Sequence, residues 1–213
     1  MLGFGEQRIG VGQRSSDRLV GSADTDVLIG RAGYDRLSSM DGDDVLQGDA
    51  GKDRLEGGAG SDWLDGGQGD DRLEGGDQAD TLMGEDGRDK LDAGAGDDML
   101  EGGMGDDELT GGAGADAFIV SPDSGNDIIT DFQARGAAQG GFDHIALRDI
   151  RPDEVTVTNT QRGILVSWNT DEGDGSVLLV GLTSSDLRQS DFMFYDEPGF
   201  VPGVSTAGSD FVF

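Results

Sequence analysis

Twelve aspartates recur at intervals of nine residues: Asp17, Asp26, Asp35, Asp44, Asp53, Asp62, Asp71, Asp80, Asp89, Asp98, Asp107 and Asp116. Most close a short loop rich in glycine, whose backbone carbonyls no side chain crowds. Carboxylates and bare carbonyls at a fixed spacing form the donor set of a hard cation, and Ca²⁺ takes six to eight such oxygens. Other chemistries lack their residues. There is no cysteine and a single histidine, His144, so neither a thiolate centre nor a multi-histidine zinc site can be built. No His-Glu-x-x-His, no Gly-x-Ser-x-Gly and no complete phosphate loop occurs, since Gly51-Lys52 is followed by Asp53. Carboxylate pairs are too common here to mark a glycosidase. The expectation is a protein that is not an enzyme, with His144 packed or hydrogen-bonded.

The elements that position these aspartates follow from the same period. From Gly12 to Ile119 the chain divides into twelve nonads, with Asp at the sixth position throughout. The eighth position is Leu in eleven, with Phe118 in the last; the first is Gly in ten, Ser39 and Ala93 excepted; the fourth is Gly in nine. Positions seven to nine set one large apolar side chain between two outward ones, the pattern of a very short strand. Each nonad is a turn plus a strand too short to stand alone, so stacking is the only way to bury its leucine. Two nonads make one coil, and strands 18 residues apart lie about 4.8 Å from each other. Six coils give a roll roughly 29 Å long on that spacing. The predicted fold is all-β, a parallel β-roll of two short-stranded sheets around a thin core running from Leu19 to Leu109.

The chain has 213 residues, 44 acidic against 15 basic, and a formal charge of −29. Composition of this kind fits either disorder or a fold whose acids are neutralised by bound cations. A disordered tract has no reason to hold phase so strictly. The charge also excludes nucleic acid as a partner. No apolar stretch is long enough to span a bilayer, and the first residues do not form a secretory signal peptide.

Nonads such as Gly57-Gly-Ala-Gly-Ser-Asp-Trp-Leu-Asp65, Gly66-Gly-Gln-Gly-Asp-Asp-Arg-Leu-Glu74 and Gly102-Gly-Met-Gly-Asp-Asp-Glu-Leu-Thr110 resemble the RTX (repeats-in-toxin, haemolysin-type) calcium-binding repeat family. The resemblance implies a Ca²⁺ ion between two loops on one edge, one coil apart. The earlier loop would give its second and fourth carbonyls and its Asp, the later one its first and third carbonyls and its Asp. Asp17, Asp35, Asp53, Asp71, Asp89 and Asp107 would share one edge, and Asp26, Asp44, Asp62, Asp80, Asp98 and Asp116 the other. The glycine carbonyls so implied come from three loop positions. The first supplies Gly30, Gly48, Gly57, Gly66, Gly75, Gly84, Gly102 and Gly111. The second supplies Gly58, Gly67, Gly76, Gly94, Gly103 and Gly112. The fourth supplies Gly33, Gly42, Gly51, Gly60, Gly69, Gly87, Gly96, Gly105 and Gly114. Five gaps on each edge admit about ten ions, which would cancel 20 of the 29 excess negative charges. The poorest loop is Gly12–Asp17, and Gln78 replaces a fourth-position glycine.

Beyond Ile119 the phase slips. Ser121–Asp127 reads as an irregular thirteenth turn, and Asp127 and Asp131 resemble the acids that complete the last metal site of such rolls, an exposed Asx turn being the alternative. Val155–Thr158 alternates as a strand, Gly163–Trp168 and Ser176–Val180 read as a β-hairpin, and Asp186–Phe192 as a short helical turn. The expected organisation is a lead-in over 1–11, the roll over 12–132, a β-rich cap over 133–195 and a flexible tail over 196–213. The terminal Ser209-Asp210-Phe211-Val212-Phe213 resembles the uncleaved signal of type I secretion substrates. With the repeats it implies a secreted, extracellular protein that meets the type I secretion machinery.

The two outer faces differ. One carries Arg18, Arg36, Arg54, Arg72, Lys90 and Glu108, with Glu56, Glu74 and Asp92 nearby. It reads either as a self-neutralising surface or as a site for an anionic polysaccharide. The other carries Val27, Val45, Trp63, Thr81, Met99 and Ala117, and is expected to be buried against the cap, a catalytic domain or a second copy. Three functions remain open: a calcium-binding secreted module, an accessory module of a polysaccharide-modifying enzyme or adhesin, and the C-terminal half of an RTX protease or lipase.

Overall fold

The computed structural model describes residues 8–134 and 141–195. Its strands in chain order begin β1 (Arg8–Val11), β2 (Arg18–Val20), β3 (Asp26–Gly33), β4 (Arg36–Asp41), β5 (Val45–Gly51), β6 (Arg54–Ala59) and β7 (Trp63–Gln68). They continue as β8 (Arg72–Asp77), β9 (Thr81–Asp86), β10 (Lys90–Ala95), β11 (Met99–Met104), β12 (Glu108–Ala113) and β13 (Ala117–Val120). Then follow β14 (Asn126–Ile129), β15 (His144–Arg148), β16 (Val155–Asn159), β17 (Gly163–Asn169), β18 (Asp174–Val180) and β19 (Phe192–Tyr195).

Odd and even strands segregate, as a two-nonad coil requires. One sheet runs β1-β3-β5-β7-β9-β11-β13-β15-β19, and the other β16-β17-β18-β14-β12-β10-β8-β6-β4-β2. Within the repeats every pairing is parallel, so the fold is a parallel β-roll. Most roll strands run six residues, because the ladder continues through the first three positions of the next loop, as where Gly58 pairs with Gly76. The three-residue strand read from the apolar pattern is therefore only the half that faces the core.

The leucines form two stacked ladders between the sheets. Leu28, Leu46, Leu64, Leu82 and Leu100 line one, and Leu37, Leu55, Leu73, Leu91 and Leu109 the other, all within 2% of complete burial. Full burial of one such side chain stabilises by about 1.5–3 kcal/mol. Past the leucines both ladders go on in register, through Phe118, Ile145 and Phe192 on one side and Ile129 and Leu179 on the other.

The segment after the repeats thus extends the roll along its axis. β15 and β19 add parallel strands to one sheet, and β18 adds one to the other. β17 and β16 then pair antiparallel with β18 and each other. Gly163–Trp168 and Ser176–Val180 form the hairpin expected, and the helical turn contracts to Gln189–Asp191. Buried Trp168 anchors the hairpin, its Nε1–H donating to the Pro122 carbonyl at 3.1 Å. The lead-in also joins the fold, since β1 pairs with β3. The remaining lead-in residues, the tail and the C-terminal signal motif lie outside the described residues.

This axial continuation removes one of the three covers expected for the apolar face, the cap. Val27, Val45, Trp63, Thr81, Met99 and Ala117 do share one face, but they are half-buried. Each is shielded by its neighbours along the stripe, while the cap is held at the end of the roll by strand pairing and does not fold back. Of the arginines expected to stay wet on the opposite face, Arg36 and Arg54 are exposed and Arg72 is half-buried.

Candidate metal centre

Each loop presents its aspartate to the coil before it. The backbone N–H of Asp17 donates to Oδ1 of Asp35, that of Asp26 to Asp44, and so on along both edges to Asp98 and Asp116, at 2.6–3.0 Å. One carboxylate oxygen per loop therefore locks the register between coils. The other has no partner among the described residues. Oδ2 of Asp35, Asp44, Asp53, Asp62, Asp71, Asp80, Asp89, Asp98, Asp107 and Asp116 is buried without a hydrogen bond. Ten buried anionic oxygens left so are a large unmet cost unless a cation lies against them.

The glycines make this arrangement possible at two loop positions. A Cβ on the first-position residue would fall 2.3–2.7 Å from Oδ2 of its own aspartate, as at Gly30, Gly48, Gly57, Gly66, Gly75, Gly84, Gly102 and Gly111. The two non-glycine residues there are accommodated differently. Ser39 is buried and donates its hydroxyl to the Gly57 carbonyl at 2.8 Å, and Ala93 is fully buried. At the fourth position the glycine backbone, Gly96 excepted, takes positive φ, and it abuts the backbone one coil earlier. A Cβ on Gly69 (φ +133) would sit 1.4 Å from the carbonyl oxygen of Gly51. Gln78 keeps the left-handed conformation in a glycine's place, with φ +79. The second-position glycines Gly58, Gly67, Gly76, Gly94, Gly103 and Gly112 share the positive φ.

Burial dominates the electrostatics. It pushes the carboxyls of Asp53, Asp80, Asp89 and Asp116 up to about 7, with the neighbouring carboxylates of the same edge adding to the effect. Asp62, Asp71 and Asp107 rise to about 6, again chiefly by burial, and Asp44 and Asp98 shift the same way. The backbone N–H each accepts opposes the shift without cancelling it. Among the described residues no cluster of three or more Asp, Glu or His side chains forms a cage by itself. A cation here must take backbone carbonyls along with the aspartates, which the glycine loops supply and Ca²⁺ accepts.

The repeated loop, its paired edges and its unpartnered oxygens now stand together. A family model for the RTX calcium-binding nonapeptide repeat matches in four copies, at residues 11–37, 38–73, 47–82 and 83–118. The chain belongs to this family. Among solved structures, the RTX chain is similar to the AlgE6R3 subunit of the Azotobacter vinelandii mannuronan C5-epimerase. The TM-score is 0.47 and the identity 23%, over 67% of this chain and 88% of that one. It is similar also to the extracellular lipase LipA of Serratia marcescens, at TM-score 0.39 and 18% identity, over 83% of this chain and 39% of that one. Neither likeness is close enough to bear on function. No curated protein matches the chain.

The ends of the two RTX edges differ from the middle. At the start, Oδ2 of Asp17 accepts the Gln13 N–H at 2.7 Å and Oδ2 of Asp26 the Ser22 N–H at 2.5 Å. These carboxylates are spent on their own loops, which lack the central glycine pattern. At the far end Asp127 takes the next place after Asp107, accepting its N–H at 3.1 Å, and burial raises its carboxyl to about 8. Asp131 stands elsewhere: its two oxygens accept the N–H groups of Gly111 and Gly112 at 3.0 and 2.8 Å. The place after Asp116 belongs to Asp143, which the sequence reading missed. Asp143 is buried, accepts the Asp116 N–H at 3.1 Å and the Gln133 N–H at 2.6 Å, and is raised to about 6 by burial. The signal was present. Gly125-Asn-Asp-Ile-Ile129 and Gly141-Phe-Asp-His-Ile145 both repeat positions four to eight of the nonad, out of phase. Gly125 stacks on Gly105, and a Cβ on Gly141 would meet the Gly114 carbonyl oxygen at 2.3 Å. His144 lies half-buried on β15, its ring 5.1 Å from that of Phe142.

Proposed function

We propose that this chain is a non-catalytic, secreted module whose roll folds when about ten Ca²⁺ ions enter the gaps between its loops. The ten unpartnered Asp Oδ2 atoms carry this reading. Without a cation, folding brings carboxylates of one edge within one strand spacing of each other and strips them of water, so repulsion and desolvation both favour the open chain. With it, the same oxygens and the stacked carbonyls become ligands, and metal affinity is added to folding free energy. The first- and fourth-position glycines from Gly30 to Gly114 leave the space this requires. Asp127 and Asp143 extend each edge by one further gap.

Affinity should match extracellular calcium, on the order of 10⁻⁴–10⁻³ M. The chain would then stay unfolded in calcium-poor cytosol, pass through a type I exporter and fold outside. Among the described residues no helix is long and apolar enough to cross a membrane. Circular dichroism in EGTA and in millimolar calcium tests the reading, with isothermal titration for stoichiometry. A β signal that is the same in both buffers would overturn it.

A second reading, that the roll is one module of a larger polysaccharide-modifying enzyme, adhesin, protease or lipase, is favoured by its open end. β1 and β2 are edge strands, and their Ile9 (71% exposed), Val11 (44%) and Val20 (48%) are uncovered among the described residues. A preceding domain would cover these strands.

A further inference from the structure

The cationic row on the second sheet changes character along its length. Arg54 pairs with Glu56 and Glu74, Arg72 with Glu74, and Lys90 with Glu108. Arg18 and Arg36 make no ion pair among the described residues, because Val20 and Ser38 stand where later strands carry acids. Arg18, Arg36 and Arg54 occupy matching places on three adjacent strands, so successive guanidinium groups rise from positions about 4.8 Å apart. Like charges side by side on one face destabilise it. In a chain of net charge −29, this end of the sheet is the exception that an anion would relieve. Two adjoining shallow clefts converge here: Arg18, Arg36 and Arg54 line both, and Tyr34 and Lys52 extend the second. Tyr34 is 67% exposed, an aromatic face open to solvent.

From this we infer that the face around Arg18 and Arg36, bordered by Arg54, binds a linear acidic polysaccharide. Carboxylates of successive sugars meet successive arginines, and a sugar ring lies on Tyr34. The guanidinium fork matches a carboxylate in bidentate fashion, and the strand step is comparable to the advance of one pyranose unit. Tyrosine offers an apolar face together with a hydroxyl, as a sugar face requires. Duplex nucleic acid needs a longer basic track than one that is met by acids from Glu56 onward. The inference rests on the calcium reading, since only the folded roll aligns the three strands. Asp35 lines the same cleft, so a cation held by its unpartnered oxygen would make it more positive.

The test is isothermal titration in millimolar calcium, with dichroism recorded on the same sample with and without EGTA. The probes are tetragalacturonate, neutral cellotetraose and tetraglutamate. Tetragalacturonate should bind and the other two should not. Arg18→Gln and Arg36→Gln should each weaken binding about tenfold, as loss of a charge-assisted bidentate pair does, with Arg36→Lys recovering only part. Arg72→Gln, whose arginine is already engaged by Glu74, should leave the Kd within about twofold. Absence of tetragalacturonate binding to a folded roll would overturn the inference. So would equal loss in Arg72→Gln, or tetraglutamate binding as tightly. A roll already folded in EGTA would sink the calcium reading, while the sugar titrations would still decide this one.

Discussion

The backbone N–H of Asp116 donates to Oδ1 of Asp143, 27 residues downstream, at 3.1 Å. Steps between two nonad aspartates span 18 residues and the step from Asp107 to Asp127 spans 20, so both edges continue after the sequence period has ended. Asp143 also accepts the Gln133 N–H. Asp143→Ala should leave the buried Asp116 N–H unmet, at about 1–3 kcal/mol, with a smaller cost at the half-buried Gln133 N–H, and should remove a carboxylate from the last gap of its edge. The calcium midpoint for folding, followed by dichroism, should rise, and by more than for Asp123→Ala on the exposed turn. Equal midpoints for the two variants would show that the edge ends at Asp116.

Glycine at the fourth loop position is required by space as well as by φ. Gly69→Ala places a methyl 1.4 Å from the Gly51 carbonyl oxygen, whereas Gly181→Ala, at φ +81, meets nothing within 4 Å. The second variant should lose only about 1 kcal/mol, the cost of a left-handed alanine. The first must open two coils, and should fail to reach the wild-type β signal even in excess calcium. Thermal melts in calcium compare them directly.

The roll was legible because its period is strict: Leu28 to Leu109 and Asp35 to Asp116 all occupy the places their phase assigns. Phe118 could be read as a leucine substitute for the same reason. Asp143 could not, since an insertion separates Gly141–Ile145 from the preceding half-motif at Gly125–Ile129, and a half-motif carries little signal without its phase. Asp131 caps the backbone N–H groups of Gly111 and Gly112, a role that proximity to the final coil in sequence does not distinguish from facing a metal gap. The fate of the Val27–Trp63–Met99 stripe was also hidden. Periodicity aligns a face, but what covers it depends on where the following segment pairs, and that segment pairs end-on.

Burial raises the carboxyls of Asp53, Asp80, Asp89 and Asp116 to about 7 and Asp127 to about 8, against an ordinary value of about 3.9 in the unfolded chain. Between these limits the folded state holds more protons than the unfolded one, so without metal its stability falls as pH rises. The stabilisation is complete below about pH 4 and is lost through pH 7–8. Metal-stripped protein should therefore show more β signal at pH 5 than at pH 8. Calcium reverses the trend, because protons compete for the same oxygens, and its midpoint should move upward as pH falls. A metal-free signal that grows with pH would contradict the burial of these acids.

The two tryptophans report separately on the two parts of the chain. Trp168 is 3% exposed, with its indole N–H on the Pro122 carbonyl, while Trp63 lies half-buried on the open apolar stripe. In calcium-loaded Trp63→Phe, the remaining Trp168 fluorescence should be blue-shifted and shielded from acrylamide. In Trp168→Phe, Trp63 should be quenched several times more readily. The second substitution carries a further consequence, since it removes the bond to Pro122 and shrinks a ring packed on Gly175. Loss of a buried hydrogen bond and partial loss of packing together suggest about 2–4 kcal/mol, so Trp168→Phe should also need more calcium to fold. Trp63→Phe should titrate close to wild type. Strong shielding of Trp63 in the intact chain would mean that the stripe is covered in solution, by a second copy or by residues outside those described. Measuring the quenching over a hundredfold range of protein concentration separates these outcomes, because only shielding by a second copy fades on dilution.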